Sequence, residues 1–250
     1  MQLSNAIGLE QGILACAGAG GKTSLLLTLA SELMVRRQPL LLTTTTKMFF
    51  HQVEAFAPLI TADYVQGAEF VAQQAGQGQV AAWFAARTGE KVVGLEPDWL
   101  ARLVAAMPYI LVEADGAQQK LLKAPGLHEP VWPEATSLYV GVLNCHAIGK
   151  PCTVQYVHRL EHVLTLTGLA AGQLVRLQDV ARLAGHPAGI FRGSSGRKVL
   201  VLNGWEQGMQ DSIAALLTYL REFDQIGIER CVFTTGYASE LRVHTVRMLD

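Results

Sequence analysis

The sequence predicts an α/β fold in which a mostly parallel sheet is flanked by helices on both faces, giving a three-layer sandwich. Three observations carry that expectation. Short apolar runs at 13–17, 40–42, 109–112, 138–143 and 198–202 lack the alternation of a half-exposed strand, as strands buried on both faces do. Segments of helical period lie between or after them, at 24–37, 98–107, 158–167, 177–184 and 210–223, and βα alternation builds a parallel sheet with right-handed crossovers. The runs also end in glycines, threonines, asparagines or acids, and open parallel sheets bind ligands beyond the carboxyl ends of their strands.

Half of the 250 residues are apolar, enough to bury a substantial core in one domain spanning 1–250, with an elaboration at 49–108. Lys and Arg total 20 against 21 Asp and Glu, which leaves no reservoir of positive charge for wrapping nucleic acid. No basic leader runs into a long apolar stretch, so a cytoplasmic protein with no membrane partner is expected. Cys16, Cys145, Cys152 and Cys231 are scattered and form no CxxC pair, which suits a reducing compartment. Cys145, His146 and Cys152 lie close enough for a metal site to be weighed. Without a second cluster, buried or loop cysteines are the plainer reading.

Taken in order, the first strand runs into Gly18-Ala19-Gly20-Gly21-Lys22-Thr23-Ser24 and then a leucine-rich helix. This is the composition of a phosphate site. Glycines let backbone N–H groups converge on an anion, the helix start adds its partial positive charge, and Lys22 supplies a full one. Thr23 is where a hydroxyl would hold Mg²⁺ against the last two phosphates. The nucleotide-loop pattern is incomplete, because its first glycine falls on Cys16.

The second strand, 40–42, leads into Thr43-Thr44-Thr45-Thr46-Lys47, which places hydroxyls and a cation at the sheet's carboxyl edge. Thr46 is expected as a substrate contact and Lys47 as a catalytic cation. Residues 68–75 read as a helix, while 79–83 and 90–95, separated by Arg87-Thr88-Gly89, read as a hairpin. The strand at 109–112 delivers Glu113-Ala114-Asp115-Gly116, and a carboxylate there can hold Mg²⁺ or polarise an attacking water. The two acids are expected to diverge so that one ligates directly, with Asp115 preferred over Glu113. Gly116 leaves room for a terminal phosphate. In the proline-rich loop that follows, Lys123 is expected to reach phosphate or an acidic substrate. Further on, Asn203-Gly204-Trp205-Glu206 resembles the Asn-Lys-x-Asp tetrad that reads guanine, with Gly204 replacing the lysine. Asn203 and Glu206 are the expected base contacts, and ATP and GTP both stay open. The last strand is expected at 231–235.

Several motifs in one order carry a family resemblance: the 18–24 loop, Leu42-Thr43-Thr44-Thr45-Thr46-Lys47-Met48, Val112-Glu113-Ala114-Asp115-Gly116, Lys123-Ala124-Pro125 with Glu129-Pro130-Val131, and Val157-His158-Arg159. Together they resemble the YqeC family, described as accessory proteins for selenium-dependent molybdenum hydroxylases. The resemblance implies a P-loop NTPase-like sandwich acting in maturation of such an enzyme or of its cofactor. It implies the hydroxylase apoprotein or its cofactor as a partner, and loops of this kind often work in homodimers. Two function classes follow. One is a Mg²⁺-dependent nucleoside triphosphatase or small-molecule kinase; the other is a non-catalytic carrier of a nucleotide or a molybdopterin phosphate.

Overall fold

The computed structural model describes residues 1–209, 211–237 and 240–249. In chain order the elements are α1 (Leu3–Ile7), β1 (Gly12–Gly18), α2 (Lys22–Val35), β2 (Leu40–Thr44), β3 (Lys47–Phe49), β4 (Leu59–Ile60), α3 (Tyr64–Gly76) and β5 (Val80–Phe84). They continue with β6 (Ala86–Thr88), β7 (Lys91–Val93), α4 (Pro97–Leu103), β8 (Tyr109–Glu113), β9 (Leu122–Lys123), β10 (Thr136–Asn144) and β11 (Val157–His158). The chain ends through α5 (Leu160–Thr167), α6 (Leu177–Gly185), β12 (Arg197–Asn203), α7 (Ser212–Phe223), β13 (Arg230–Thr235) and β14 (Arg242–Met248).

Among the described residues, nine strands form one sheet in the order β14-β13-β12-β10-β1-β8-β2-β5-β4. All the pairings are parallel except that of the edge strand β14, which runs antiparallel to β13. Alternation sorts the side chains into layers. Leu14, Cys16, Leu111, Val140 and Val199 pack with the apolar face of α1 and α2. On the other face, Ile13, Ala15, Ile110 and Val112 pack with α3 and α4, while Leu143, Leu200 and Leu202 pack with α5, α6 and α7. Helices therefore cover both faces, as the apolar runs predict. None of the described helices is long and apolar enough to cross a membrane.

The expected hairpin is redistributed. β5 is buried from Ala81 to Phe84 and joins the main sheet beside β2, while β7 pairs with β6 on one side and β3 on the other in a separate three-stranded sheet. An all-apolar strand is better placed between neighbours than at the rim. His158, expected in a helix, sits in β11, paired with β9. The expected helix over 210–223 begins at Ser212, and Gln210 lies outside the described residues. The tail forms β14, an antiparallel edge strand whose register shifts opposite Phe233 and Thr234, so that Val243 and Val246 both pack against the same core.

The topology matters for the site because β1 lies between β10 and β8, with β2 one place beyond β8. The carboxyl ends of these strands, carrying Gly18, Asn144, Glu113 and Thr44, are brought to one rim.

Close helix-to-sheet approach is tightest at Gly67 on α3, where an added Cβ would come within 1.9 Å of the Trp83 ring, itself stacked on Trp99. Gly67→Ala is expected to destabilise the fold by about 1–3 kcal/mol through overpacking. Gly76→Ala at the end of the same helix, where a Cβ meets nothing within 4 Å, is expected to be neutral or mildly stabilising. Urea unfolding of the two variants checks the contrast.

Candidate functional site

The turn after β1 is built by three glycines whose conformations and surroundings exclude side chains. Gly18, Gly20 and Gly21 have φ of 106°, 75° and 153°. A Cβ at Gly18 would lie 2.0 Å from the Val142 carbonyl oxygen, one at Gly20 would strike Asn144, and one at Gly21 would strike Asn203. Those two asparagines end β10 and β12 in register, and both donate from Nδ2 to the Gly20 carbonyl, at 2.8 and 3.0 Å. The Ala19 amide donates to Val142 O at 2.8 Å, and its methyl is buried. Ala19 therefore anchors the turn to β10. The donors left to face a ligand come from Gly20, Gly21 and the first turn of α2, whose Lys22 and Thr23 amides have no partner four residues back in the helix.

Beneath the turn lies a chain of buried charges. Lys22 Nζ donates to Gly18 O at 2.7 Å and lies 3.2 Å from Asp115 and 3.9 Å from Glu113. Asp115 accepts from the Gly18 amide with both oxygens, at 3.2 and 3.0 Å, and from Lys123 Nζ at 2.8 Å. Lys123 also donates to Gly116 O and to Glu129, and Glu129 pairs with Arg159 at 2.8 Å. Burial works against the Lys22 ammonium, but Asp115 and Glu113 outweigh it and hold its pKa above the usual lysine value. Burial pushes the Glu113 carboxyl upward against the opposing pull of Lys22 and the Thr23 hydroxyl.

Glu113 and Asp115 do not diverge. Side chains two apart on an extended chain share a face, and both acids turn toward Lys22. They differ in depth. Asp115, 1% exposed, is saturated by two lysines and an amide, whereas Glu113 lines the cleft and accepts from Thr23 Oγ1 at 2.8 Å. Of the two acids, Glu113 is thus the one at the cleft, while Asp115, the one expected there, is committed below it. Lys123 is likewise corrected: it is fully buried with three acceptors, Gly116 O, Asp115 and Glu129, and is not placed to reach a substrate.

The cleft above this network has a volume of about 770 Å³. Gly20, Gly21, Lys22, Thr23 and Ser24 line it, as do Thr46 and the exposed Lys47. The neighbouring threonines are spent on the backbone: Thr43 donates to Trp83 O, Thr44 to Glu113 O and Thr45 to Val131 O. Asn203 and Glu206 do not line the cleft. Asn203 is fully buried, holding Gly20 and accepting from Thr234, and Glu206 pairs with His146 on the surface. Asn203 thus holds the turn where a base contact was expected. Among the described residues no cluster of three or more His, Cys, Asp or Glu could hold a metal. Cys145 is buried, which raises its thiol to about 12, and Cys152 is also buried. A two-sided Thr23–Glu113 pair still suits Mg²⁺, which takes few protein ligands and completes its shell with phosphate oxygens and water.

Sequence reasoning assigned no role to Asn144, Glu129 or Arg159, although Glu129 and Arg159 stand in motifs that carry the family resemblance and two parallel strands both close on asparagine.

The sequence model of the YqeC protein family matches residues 14–161. A protein of Escherichia coli (strain K12), described as uncharacterized protein YqeC, is 32% identical over 227 residues, covering 85% of this chain and 84% of its own length. The chain belongs to the YqeC family. Apart from Tyr237, every residue lining the cleft falls inside the span that the YqeC family model matches, whereas Asn203 falls outside it. No solved structure matches the chain.

Burial opposes ionisation of Glu129, but Lys123 and Arg159 overcome it and lower its pKa from 4.5 to about 2. A depressed acid stabilises the fold fully above its unfolded pKa and loses that contribution as pH falls through the folded one. Glu129→Gln is expected to lower the melting temperature at pH 7, with the gap to wild type closing between pH 4.5 and 2. Thermal melts across that range check it.

Proposed function

We propose that this protein binds a nucleoside triphosphate with Mg²⁺ in the cleft and hydrolyses it or transfers its terminal phosphoryl group. The observation that carries the reading is the Thr23 hydroxyl held 2.8 Å from Glu113 at the start of α2, directly beside a glycine turn and a buried lysine. Gly20 to Ser24 would cradle the phosphates, and Thr23 with Glu113 would hold Mg²⁺. When bound, the metal neutralises charge between the last two phosphates. Lys22, released from Gly18 O, would stabilise charge on the transferred group, and Lys47 and Thr46 would meet the acceptor. Phosphoryl transfer needs chiefly positioning and charge stabilisation, which these groups supply. The setting is maturation of a selenium-dependent molybdenum hydroxylase or its cofactor, as the YqeC resemblance implies.

One observation favours a second reading, a non-catalytic carrier of a nucleotide or a molybdopterin phosphate. Lys22 is turned back onto Gly18 O and paired with Asp115. Tight binding of a pterin phosphate with no nucleotide turnover would select it.

Lys22→Ala is expected to lower nucleotide hydrolysis at least about 100-fold. Folding should survive, since Asp115 keeps Lys123 and the Gly18 amide. Phosphate release and circular dichroism measured together check both halves, and wild-type turnover in the variant contradicts the catalytic reading.

A further inference from the structure

The wall of the cleft formed by the 116–119 turn and β11 is unusual in its backbone. Of the five described non-glycine residues with left-handed φ, three line this wall: Gln118 at 48°, Gln119 at 58° and Arg159 at 57°. Such conformations persist where the surroundings over-determine them, and they concentrate at functional sites. Gly116, at the head of the turn, lines the cleft with open space beside it, since a Cβ added there would meet nothing within 4 Å.

Between these strained positions the wall presents one titratable ring. His158 lines the cleft, held by the pairing of β11 with β9 opposite Lys123. Its ring nitrogens make no hydrogen bond to the described residues, whereas His146 meets Glu206 and His162 meets Pro125 O. Arg159 beside it is anchored by Glu129 at 2.8 Å, which fixes the local chain. An imidazole that lines the cleft half-buried, with no hydrogen bond to the described residues, is placed to move a proton there.

We propose that His158 is the general base of the reaction at this cleft, accepting the proton of the water or acceptor hydroxyl that attacks the terminal phosphorus. This rests on the nucleotide reading above. As the attacking oxygen bonds to phosphorus, its proton passes to an imidazole nitrogen. The bond from phosphorus to the bridging oxygen breaks, and its electron pair leaves on the nucleoside diphosphate. The imidazolium then returns the proton to solvent, and the products are the diphosphate with inorganic phosphate or a phosphorylated acceptor.

The surroundings keep the ring in the required state. Burial and the cations of Lys123 and Arg159 lower the His158 pKa below 6.5, against weaker opposition from Glu129 and Asp115. These surroundings favour the neutral ring, the form able to accept a proton. Turnover is expected to show an acid limb, at a pH below the ordinary imidazole value, as His158 protonates.

His158→Gln tests the assignment by calorimetric titration with Mg·ATP and Mg·GTP, by turnover, and by the pH profile. The expected result is nucleotide affinity within about threefold of wild type, turnover reduced about 100-fold, and loss of the acid limb that wild type shows. Turnover near wild type in a variant that still binds nucleotide overturns the assignment of His158 and leaves the nucleotide reading standing. A wild-type protein that binds neither nucleotide overturns the nucleotide reading itself, and with it this one. A wild-type profile that stays flat from pH 8 down to the onset of acid unfolding overturns the assignment even if the variant fails to fold.

Discussion

The carboxylate of Asp115 is the point through which the rim of the sheet is held together. It receives the Gly18 amide from the end of β1, Lys22 from the start of α2 and Lys123 from β9, within 3.2 Å in each case. Three separate stretches of chain thereby share one charge. A buried charge left with no partner costs about 3–5 kcal/mol, and Asp115, held by two lysines and an amide, stays partnered when any one of them is lost. The alternating order Lys22, Asp115, Lys123, Glu129, Arg159 supplies partners along its whole length, from the deep end under the turn to Arg159 at the mouth of the cleft. Positive charge beneath the glycine turn and the negative charge needed to bury it are reconciled without leaving either unpaired.

Sheet order makes this network possible. Because β1 has β10 on one side and β8 on the other, the glycine turn meets asparagines from one flank and acids from the other. The asparagines fix the turn by its Gly20 carbonyl. That leaves the Gly20 and Gly21 amides and the helix start toward the cleft, an arrangement suited to an anion. Depth divides the labour of the acids: the shallower Glu113 meets Thr23 at the surface of the cleft, while Asp115 stays below.

Much of this was legible in the sequence, and the reasons for the rest are physical. The parallel sheet could be read because strands buried on both faces appear as unbroken apolar runs, and the glycine turn because few residues besides glycine accept its backbone angles beside Val142, Asn144 and Asn203. The acids after β8 could be located but not ranked. Which carboxylate faces a cleft depends on how far it projects past the last strand residue and on who waits beneath, and Lys123 arrives there from the two-residue strand β9. Asn203 was misread because a polar side chain at a strand end looks the same whether it points to a ligand or to a neighbouring turn. β9 and β11 are two residues each, too short for a periodic signal, so the placement of His158 beside the cleft had no local cue.

The claim on which everything else depends is that the turn between Gly18 and Ser24 receives a polyphosphate chain together with a divalent cation. Equilibrium titration of the wild-type protein with a nucleoside, its diphosphate and its triphosphate, each with and without Mg²⁺, tests this most directly. The account predicts that affinity rises with each added phosphate, that the triphosphate binds tightest, and that its binding weakens when Mg²⁺ is removed. Equal affinity for the bare nucleoside, or triphosphate binding indifferent to Mg²⁺, would contradict it.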